Sequence, residues 1–158
     1  MKKKNIVSKL QIIFLVIFVF GLVFLFFSNK KYDVVQVKIH EHTLDLLVAE
    51  TPKQKYLGLG KRDELEPYHG MLFSYKKDDR HGIVMRDMRF PIDVVWLKDN
   101  RVIDMVANVP LEPGKSEWEL IPYYPRAEVD IILEFSSGAI ETYGISLGDE
   151  FIPVYESN

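Results

Sequence analysis

Cysteine is absent from this chain of 158 residues. Its absence excludes disulfide bonds, a cysteine nucleophile and attachment to a membrane through a lipid-modified cysteine. It does not decide the compartment, because a fold can do without disulfides on either side of a membrane. A glycine-rich phosphate loop is also missing, since the run PGKS at residues 113–116 has Val109 where that motif requires glycine.

Positive charge is scarce once the first 31 residues are set aside. Six of the 20 Lys and Arg residues precede Tyr32, whereas all 23 Asp and Glu residues follow it, so residues 32–158 carry a net charge of −9. An acidic surface repels phosphate backbones, and nucleic acid is therefore excluded as an expected partner.

Polar residues are almost missing between Leu10 and Phe27, where Gln11 is the only one. A run of this length lies at the lower end of what spans a bilayer. The residues that follow lack the small-residue pattern of a signal-peptide cleavage site. Four lysines precede the run and three follow it closely, which favours a cytoplasmic N-terminus by a narrow margin. We therefore expect a single-pass protein of the cell membrane with its globular part outside the cytoplasm.

The chain accordingly divides into four parts. Residues 1–9 form a basic cytoplasmic N-terminus, and residues 10–28 form the transmembrane anchor. Residues 29–36 form a tether and the start of the first strand. Residues 37–155 form one β-rich globular domain, because no linker, repeat or low-complexity tract interrupts them.

The globular part alternates short β-rich runs with polar breaks. The predicted strands are VVQVKIH, TLDLLVAE, MLFSY, IVMRDM, IDVVWLK, RVIDMVANV, DIILEF and GDEFIPVY. Thr51 followed by Pro52 predicts the start of a short helix, SGAIETYGI predicts a helical turn, and Asp99 with Asn100 predicts a two-residue hairpin turn. The predicted class is a β-rich α+β fold, a compact antiparallel or mixed sheet or small barrel with one or two short helices, preceded by the transmembrane helix.

A long proline-rich loop is predicted over residues 110–128, where PLEPGKSEWELIPYYPRAE contains four prolines. Long loops in compact domains often bind ligands or move. Trp118, Tyr123 and Tyr124 lie in this loop, and their rings could stack on the apolar face of a sugar or pack over the core. Both interpretations remain open at this point.

Charged residues interrupt the apolar run VMRDMRFPIDVVWLKD at residues 84–99. Alternation along a strand places Asp93 on the same face as Val95 and Leu97, so we expect its carboxylate to be buried. By the same rule, Arg86 shares a face with Val84 and Met88. Outside this run, Glu134 shares a face with Ile132 in DIILEF.

A hairpin turning at Arg89 and Phe90 would place Arg86 directly opposite Asp93, within reach of a bidentate ion pair. Three interpretations of Arg86, Asp93 and Glu134 follow. They form a structural network that fixes strand register, or a pocket for a polar small molecule or sugar, or an acid–base pair that hydrolyses a glycosidic bond.

The blocks GMLFSY, VMRDMRFPIDVVWLKDNRVIDMV and DIILEFSSGAIETYGISLGDEF resemble the domain of unknown function 192 family of prokaryotes in order and spacing, over residues 37–151. That family's central motif usually reads Trp-Met-Lys-Asn before Pro-Leu-Asp. Val84 stands here in place of the aromatic residue, and Asp87 in place of the amide. Members are commonly small and often exported, and the resemblance implies no established activity.

The expected function is a membrane-anchored, extracytoplasmic module that binds a small ligand or associates with the cell envelope. The ligand-binding candidates are Arg86, Asp87, Asp93, Glu134, Trp118, Tyr123 and Tyr124. One alternative is a hydrolase that acts on a polar substrate through paired carboxylates, and another is a structural or protein-interaction domain. No cofactor is expected, and only His40 and His42, in the run HEH, are weak metal candidates.

Overall fold

The computed structural model describes Lys9, residues 11–21 and residues 32–154. The chain forms two compact units, residues 1–31 and residues 32–158. In the first unit, residues 11–21 are helical, and the apolar side chains from Ile12 to Phe20 are exposed. The described residues include no helix that is long and apolar enough to cross a membrane. The expected anchor at residues 10–28 lies partly outside the described residues and stays a prediction.

The second unit is a β-rich domain with short helices, as its sequence predicts, and its described residues form seven strands. The strands are β1 (Asp33–Ile39), β2 (His42–Ala49), β3 (Gly70–Asp79), β4 (Ile92–Lys98), β5 (Arg101–Val109), β6 (Val129–Ser136) and β7 (Ile152–Pro153). The helices are α1 (Pro52–Leu57), a 3₁₀ turn (Glu117–Glu119) and α2 (Ala139–Thr142).

The strands form one mixed sheet in the order β5-β4-β6-β3-β2-β1-β7. Only β2 and β3 are paired in parallel among the described strands. The segment that leads into β7 hydrogen-bonds to the other end of the sheet. The Val102 N–H donates to the Asp149 carbonyl, and the Phe151 N–H donates to the Asn100 carbonyl, both at 2.9 Å. The two edges are therefore joined near the start of β5, and the sheet curls.

Local signals in the sequence explain several boundaries. The hydroxyl of Thr51 accepts a hydrogen bond from the Gln54 N–H, and the Gln54 side chain returns to the Thr51 N–H, so a capping box begins α1. Asp99 and Asn100 both have positive φ angles, 50° and 64°, which confirms the two-residue hairpin between β4 and β5. The long loop between β5 and β6 is also confirmed, since its described residues hold only the 3₁₀ turn.

Both faces of the sheet are apolar and covered, as the alternation in β4 predicts. Ile92, Val94 and Trp96 belong to one buried cluster, which we call the first core. Val95 and Leu97 belong to a separate cluster on the other face, the second core. The first core is covered by three segments: α1, the segment between β3 and β4, and the long loop. Residues of each segment contact this core or lie beside it.

The predicted strand IVMRDM does not form. Ile83 makes an isolated bridge to Tyr123, and the chain then turns at Arg86 and Asp87, where Asp87 has a φ of 53°. A left-handed residue in the middle of this run breaks the extended conformation that a strand needs. The expected hairpin around Arg89 is therefore wrong, and β4 pairs with β5 and β6 instead.

Candidate functional site

Glu134 stands on the first-core face of the sheet, where the neighbouring positions are apolar. Its Cα pairs with that of Met71 on β3 and with that of Val94 on β4. Met71 and Val94 are fully buried, and Glu134 itself is 7% exposed. A carboxyl group thus occupies the middle of an apolar row, as the alternation in DIILEF indicates.

The carboxyl of Glu134 has no hydrogen-bond or ion-pair partner among the described residues. A Cβ placed on Gly58 would lie 3.6 Å from Glu134 Oε2, so the end of α1 passes close to this oxygen. Burial away from water raises the pKa of Glu134 to about 8, because the charged form loses its hydration. At pH values below about 8, the Glu134 carboxyl is consequently mainly protonated and neutral.

Glu134 lines a cavity of about 260 Å³ between the sheet, α1 and two loops. On the sheet side, the cavity is lined by Phe73 and Tyr75 from β3 and by Ile132 and Glu134 from β6. The remaining wall is made by α1, the segment 82–88 and the long loop, whose contributions include Lys55, Gly58, Ile83, Val84, Arg86, Pro122 and Tyr124. We call this space the Glu134 cavity.

Lys55 and Tyr75 form one side of the Glu134 cavity. The ammonium of Lys55 donates to the Ser74 carbonyl and lies 4.2 Å from the centre of the Tyr75 ring. Partial burial lowers the pKa of Lys55. Burial, and then the nearby charge of Glu134, raises the pKa of Tyr75, whose ring stacks on His81 at 3.7 Å. The cavity therefore combines a cation, an acid and aromatic surface.

Arg86 connects the long loop to α1. Its Nε donates to Glu117 Oε2 at 2.6 Å, its Nη2 donates to the other carboxylate oxygen, and its Nη1 donates to the Tyr56 carbonyl at 2.8 Å. The guanidinium also lies 3.9 Å from the centre of the Tyr56 ring. The hydrogen bond from Arg86 holds the pKa of Glu117 below its usual value. The expected ion pair between Arg86 and Asp93 is therefore wrong, since Glu117 takes that place.

Asp93 is buried, as predicted, but it lies on the second-core face. It is 1% exposed, and its two oxygens accept hydrogen bonds from the N–H groups of Asn108, Gly138 and Ile140 at 2.8–3.0 Å. These contacts hold the start of α2 and the end of β5. The Arg86, Asp93 and Glu134 network does not form, and the two carboxylates are not paired, because they point to opposite faces.

The remaining candidates lie in separate places. Asp87 forms an exposed ion pair with Lys61 at 3.4 Å and, with Arg86, lines a second hollow of about 470 Å³. Trp118 is 87% exposed, whereas Tyr123 packs against the first core. Tyr124 is partly exposed and lines the Glu134 cavity. Of the seven candidates, the structure brings Arg86, Tyr124 and Glu134 to one cavity.

The histidines of the HEH run have partners close to the β1–β2 turn. His40 Nε2 lies 3.3 Å from Asp149 Oδ2, and its Nδ1 lies 3.2 Å from the Tyr143 carbonyl. His42 contacts the Tyr143 ring and lies 3.9 Å from Glu41. Within residues 11–21 and 32–154, no group of three or more His, Asp or Glu side chains is placed to hold a metal ion.

Four residues in and beside the cavity were not predicted from the sequence: Lys55, Phe73, Tyr75 and Glu117. Alternation along β3 could have placed Phe73 and Tyr75 on the face of Met71, beside Glu134. No sequence signal identifies Lys55 or Glu117, because their roles depend on how α1 and the long loop lie against the sheet.

The profile of the domain of unknown function 192 family, described as "Uncharacterized ACR", matches residues 35–152. No curated protein matches the chain significantly.

Two solved structures have a similar fold. One is a protein from Sinorhizobium meliloti 1021 described as a candidate transcription regulator, with a TM-score of 0.69 and 24% identity over 79% of this chain and 97% of its own. The other is a protein of unknown function from Novosphingobium aromaticivorans DSM 12444, with a TM-score of 0.64 and 24% identity over 78% of this chain and 86% of its own. At these identities, the likeness concerns the fold alone.

Proposed function

Since this chain belongs to the domain of unknown function 192 family, which assigns no activity, we propose from its own geometry that it binds a small polar molecule in the Glu134 cavity. The observation that carries this proposal is the carboxyl of Glu134, which is buried, faces a cavity and has no partner among the described residues. A ligand that hydrogen-bonds to Glu134 would supply the missing partner.

The energetic reason lies in the cost of burying polar groups. A buried carboxyl group that has no hydrogen-bond partner in the protein depends on water or a ligand for one. Asp93 and Asp104 are buried in the same domain and are fully hydrogen-bonded, Asp93 by backbone N–H groups and Asp104 by Arg126. Glu134 departs from that pattern and lies where a ligand could reach it. Groups with such strongly shifted pKa values are concentrated at functional sites.

The lining of the Glu134 cavity fits a small molecule with some apolar surface. Phe73, Ile83 and Ile132 supply apolar contacts, while Lys55 and Glu134 supply polar groups. Ligand pockets combine apolar surface with a few polar groups that fix orientation, and the exposed surface of this cavity is more polar than apolar. A volume of about 260 Å³ lies just below the usual range, which begins at roughly 300 Å³, so the ligand is small.

Hydrolysis through paired carboxylates receives no support from this geometry. Glycosidases of that kind place two carboxyl groups on either side of one bond. Glu134 is the only carboxyl group among the described residues that line its cavity, and Asp93 lies on the other face of the sheet. Binding is therefore the function that the arrangement supports best.

The binding site is tested by filling the cavity from Val84, a partly exposed lining residue. The full-length protein, Val84→Trp and Val34→Trp would be screened by saturation-transfer NMR against amino acids, sugars, polyamines and nucleosides. Val34 is exposed on β1 and lines no part of the cavity, so it is the matched control. We expect at least one compound to receive saturation from the wild type and from Val34→Trp, and to lose it with Val84→Trp. No signal, or a signal that Val84→Trp leaves unchanged, contradicts the proposal.

We further propose that residues 10–28 anchor this binding domain to the cell membrane, with residues 32–158 outside the cytoplasm. The apolar run from Leu10 to Phe27 supports the anchor, as does the helical conformation of residues 11–21 with exposed apolar side chains. Extraction of membranes with carbonate, followed by protease treatment of intact cells stripped of their wall, tests this proposal. We expect the protein to stay in the pellet and its domain to be cleaved. Release by carbonate contradicts the anchor, and full protection from protease contradicts the orientation.

A further inference from the structure

We infer that the ligand of the Glu134 cavity is a small zwitterion, a molecule of the amino-acid class, whose ammonium group contacts Glu134 and whose anionic group contacts Lys55. This inference rests on the proposed binding function and names the chemistry of the ligand. It is carried by an ammonium group and a carboxyl group that line one cavity and that each have no ion-pair partner among the described residues.

Lys55 is the cationic group of the cavity. Its Nζ donates to the neutral Ser74 carbonyl and lies over the Tyr75 ring, and no carboxylate of the described residues lies within ion-pair distance of it. An ammonium has three donors, so Lys55 keeps capacity for an anionic ligand group. Half-burial in α1 also limits the water that competes for that position.

Glu134 is the acidic group of the cavity, and the nearby cations do not pair with it. Burial raises its pKa, and no ion pair joins it to Lys55 or Arg86. Arg86 is engaged by the carboxylate of Glu117 and by the Tyr56 carbonyl. An ammonium brought by a ligand would therefore be the first positive charge to contact Glu134, and it would favour the ionised form of that group.

A ligand with only one charge would contact only one of these two groups favourably. A simple amine would lie near the ammonium of Lys55 and meet a like charge, whereas a simple carboxylate would leave Glu134 without an ammonium to contact. A zwitterion contacts each group with the opposite charge. Its net charge of zero also avoids the repulsion that the net charge of −9 on residues 32–158 exerts on anions.

The apolar lining indicates what joins the two charged groups. Phe73, Ile83 and Ile132 surround the space around Glu134, and each belongs to the first core. A short apolar side chain would bury itself against them and displace water. We therefore choose leucine as the probe, because it carries both charges and a branched apolar side chain.

The test compares leucine with two molecules of almost the same shape. Isoamylamine lacks the carboxylate, and 4-methylpentanoate lacks the ammonium; glucose serves as an uncharged polar probe. Binding to the full-length protein would be measured by titration calorimetry at pH 7. We expect leucine to bind, and each singly charged analogue to bind at least roughly tenfold more weakly, because each forfeits one charged hydrogen bond.

Two variants assign the contacts. Glu134→Gln is expected to weaken the binding of leucine at least roughly tenfold. The same variant should bind 4-methylpentanoate as tightly as the wild type does, or more tightly. Lys55→Met is expected to weaken the binding of leucine to a similar extent. It should bind isoamylamine as tightly as the wild type does, or more tightly. Glu128→Gln and Lys53→Met remove the same charges at exposed positions outside the cavity and should change nothing. Thermal melting of each variant verifies that it is folded.

The outcomes separate this inference from the proposed function. If only glucose binds, and Val84→Trp abolishes that binding, the inference of a zwitterionic ligand is overturned. The proposed site for a polar ligand then remains in place. Equal binding of leucine and either singly charged analogue also overturns the zwitterion. If none of the four probes binds, the inference is overturned, and the broader screen with Val84→Trp decides whether the cavity binds any other small molecule.

Discussion

Asp93 on β4 and Glu134 on β6 are offset by one residue in the register of neighbouring strands, and they point to opposite faces of the sheet. Asp93 pairs with Phe135, whereas Glu134 pairs with Val94. Both carboxyl groups are buried, but Asp93 accepts three backbone hydrogen bonds and Glu134 accepts none from the described residues. Asp93 is therefore a structural group, whereas Glu134 is the group that we propose contacts a ligand.

Asp93→Asn is expected to destabilise the domain strongly. The amide keeps one acceptor oxygen but places an NH₂ against backbone N–H groups of β5 and α2, and a loss of about 3 kcal/mol follows. The melting temperature of the full-length protein, followed by tryptophan fluorescence, should fall on the order of 10 °C.

Asp63→Asn is the control for this change, because its ion pair with Arg89 is exposed. Surface pairs of this kind contribute roughly 0–1 kcal/mol, so its melting temperature should stay near that of the wild type. Equal melting temperatures for Asp93→Asn and the wild type would show that Asp93 does not hold α2 in place.

Glu134 should make stability depend on pH in a direction opposite to that of an ordinary paired carboxylate. Its pKa in the folded protein, about 8, lies above the unfolded value near 4.5. The folded state then binds the extra proton between these values, so stability decreases as pH rises from about 4.5 to about 8. The slope attributable to this one group approaches 1.4 kcal/mol per pH unit.

Urea unfolding of the wild type and of Glu134→Gln at pH 5, 6, 7 and 8 measures that slope. We expect the variant to lose the decline and to be more stable than the wild type at pH 8, because it buries no ionisable group. Glu128→Gln should retain the wild-type slope, since Glu128 is exposed. Identical slopes for the wild type and Glu134→Gln contradict the raised pKa.

Arg86→Lys is expected to loosen the long loop with little effect on global stability. Lysine cannot reproduce the forked contact with Glu117 together with the bond to the Tyr56 carbonyl. Hydrogen exchange of the amides at residues 112–121 should become faster, while the melting temperature changes by no more than a few degrees. Arg101→Lys, which alters an exposed pair with Glu150, should leave exchange in the loop unchanged. Unchanged protection in Arg86→Lys contradicts the role of this contact.

The turn between β4 and β5 offers a test of backbone conformation. Asn100 has a φ of 64°, which asparagine and glycine tolerate better than other residues. Asn100→Ala should therefore cost about 1 kcal/mol, whereas Asn100→Gly should be neutral within a few tenths. Chemical unfolding of the two variants gives the comparison. A cost for glycine equal to that for alanine would exclude the left-handed conformation as the cause.

Periodicity in the sequence was sufficient to predict much of the sheet. Alternation in IDVVWLK correctly separates the two faces and predicts that Asp93 is buried, and alternation in DIILEF places Glu134 on the face of Ile132. The start of α1 and the β4–β5 hairpin were also predictable, because capping and turn residues act over a few neighbouring positions. These features depend on local chemistry that a sequence displays directly.

The partners of the charged residues were not predictable in the same way. The run IVMRDM has strand-like composition, but Asp87 turns the chain there, and Arg86 then meets Glu117, 31 residues later. Asp93 is satisfied by backbone N–H groups, which have no signature in the sequence. Long-range packing of loops decided all of these contacts, so the candidate network could not be separated from a ligand site by sequence.

We propose above all that Glu134 is a buried acid with no partner among the described residues and that it is available to a ligand. Its carboxyl ¹³C resonance, followed by NMR over a pH titration of the full-length protein, measures this most directly. We expect a titration midpoint near 8 for Glu134. A midpoint at or below the ordinary value of about 4.5 would mean that a partner or solvent already stabilises the carboxylate, and it would contradict the proposed role of Glu134.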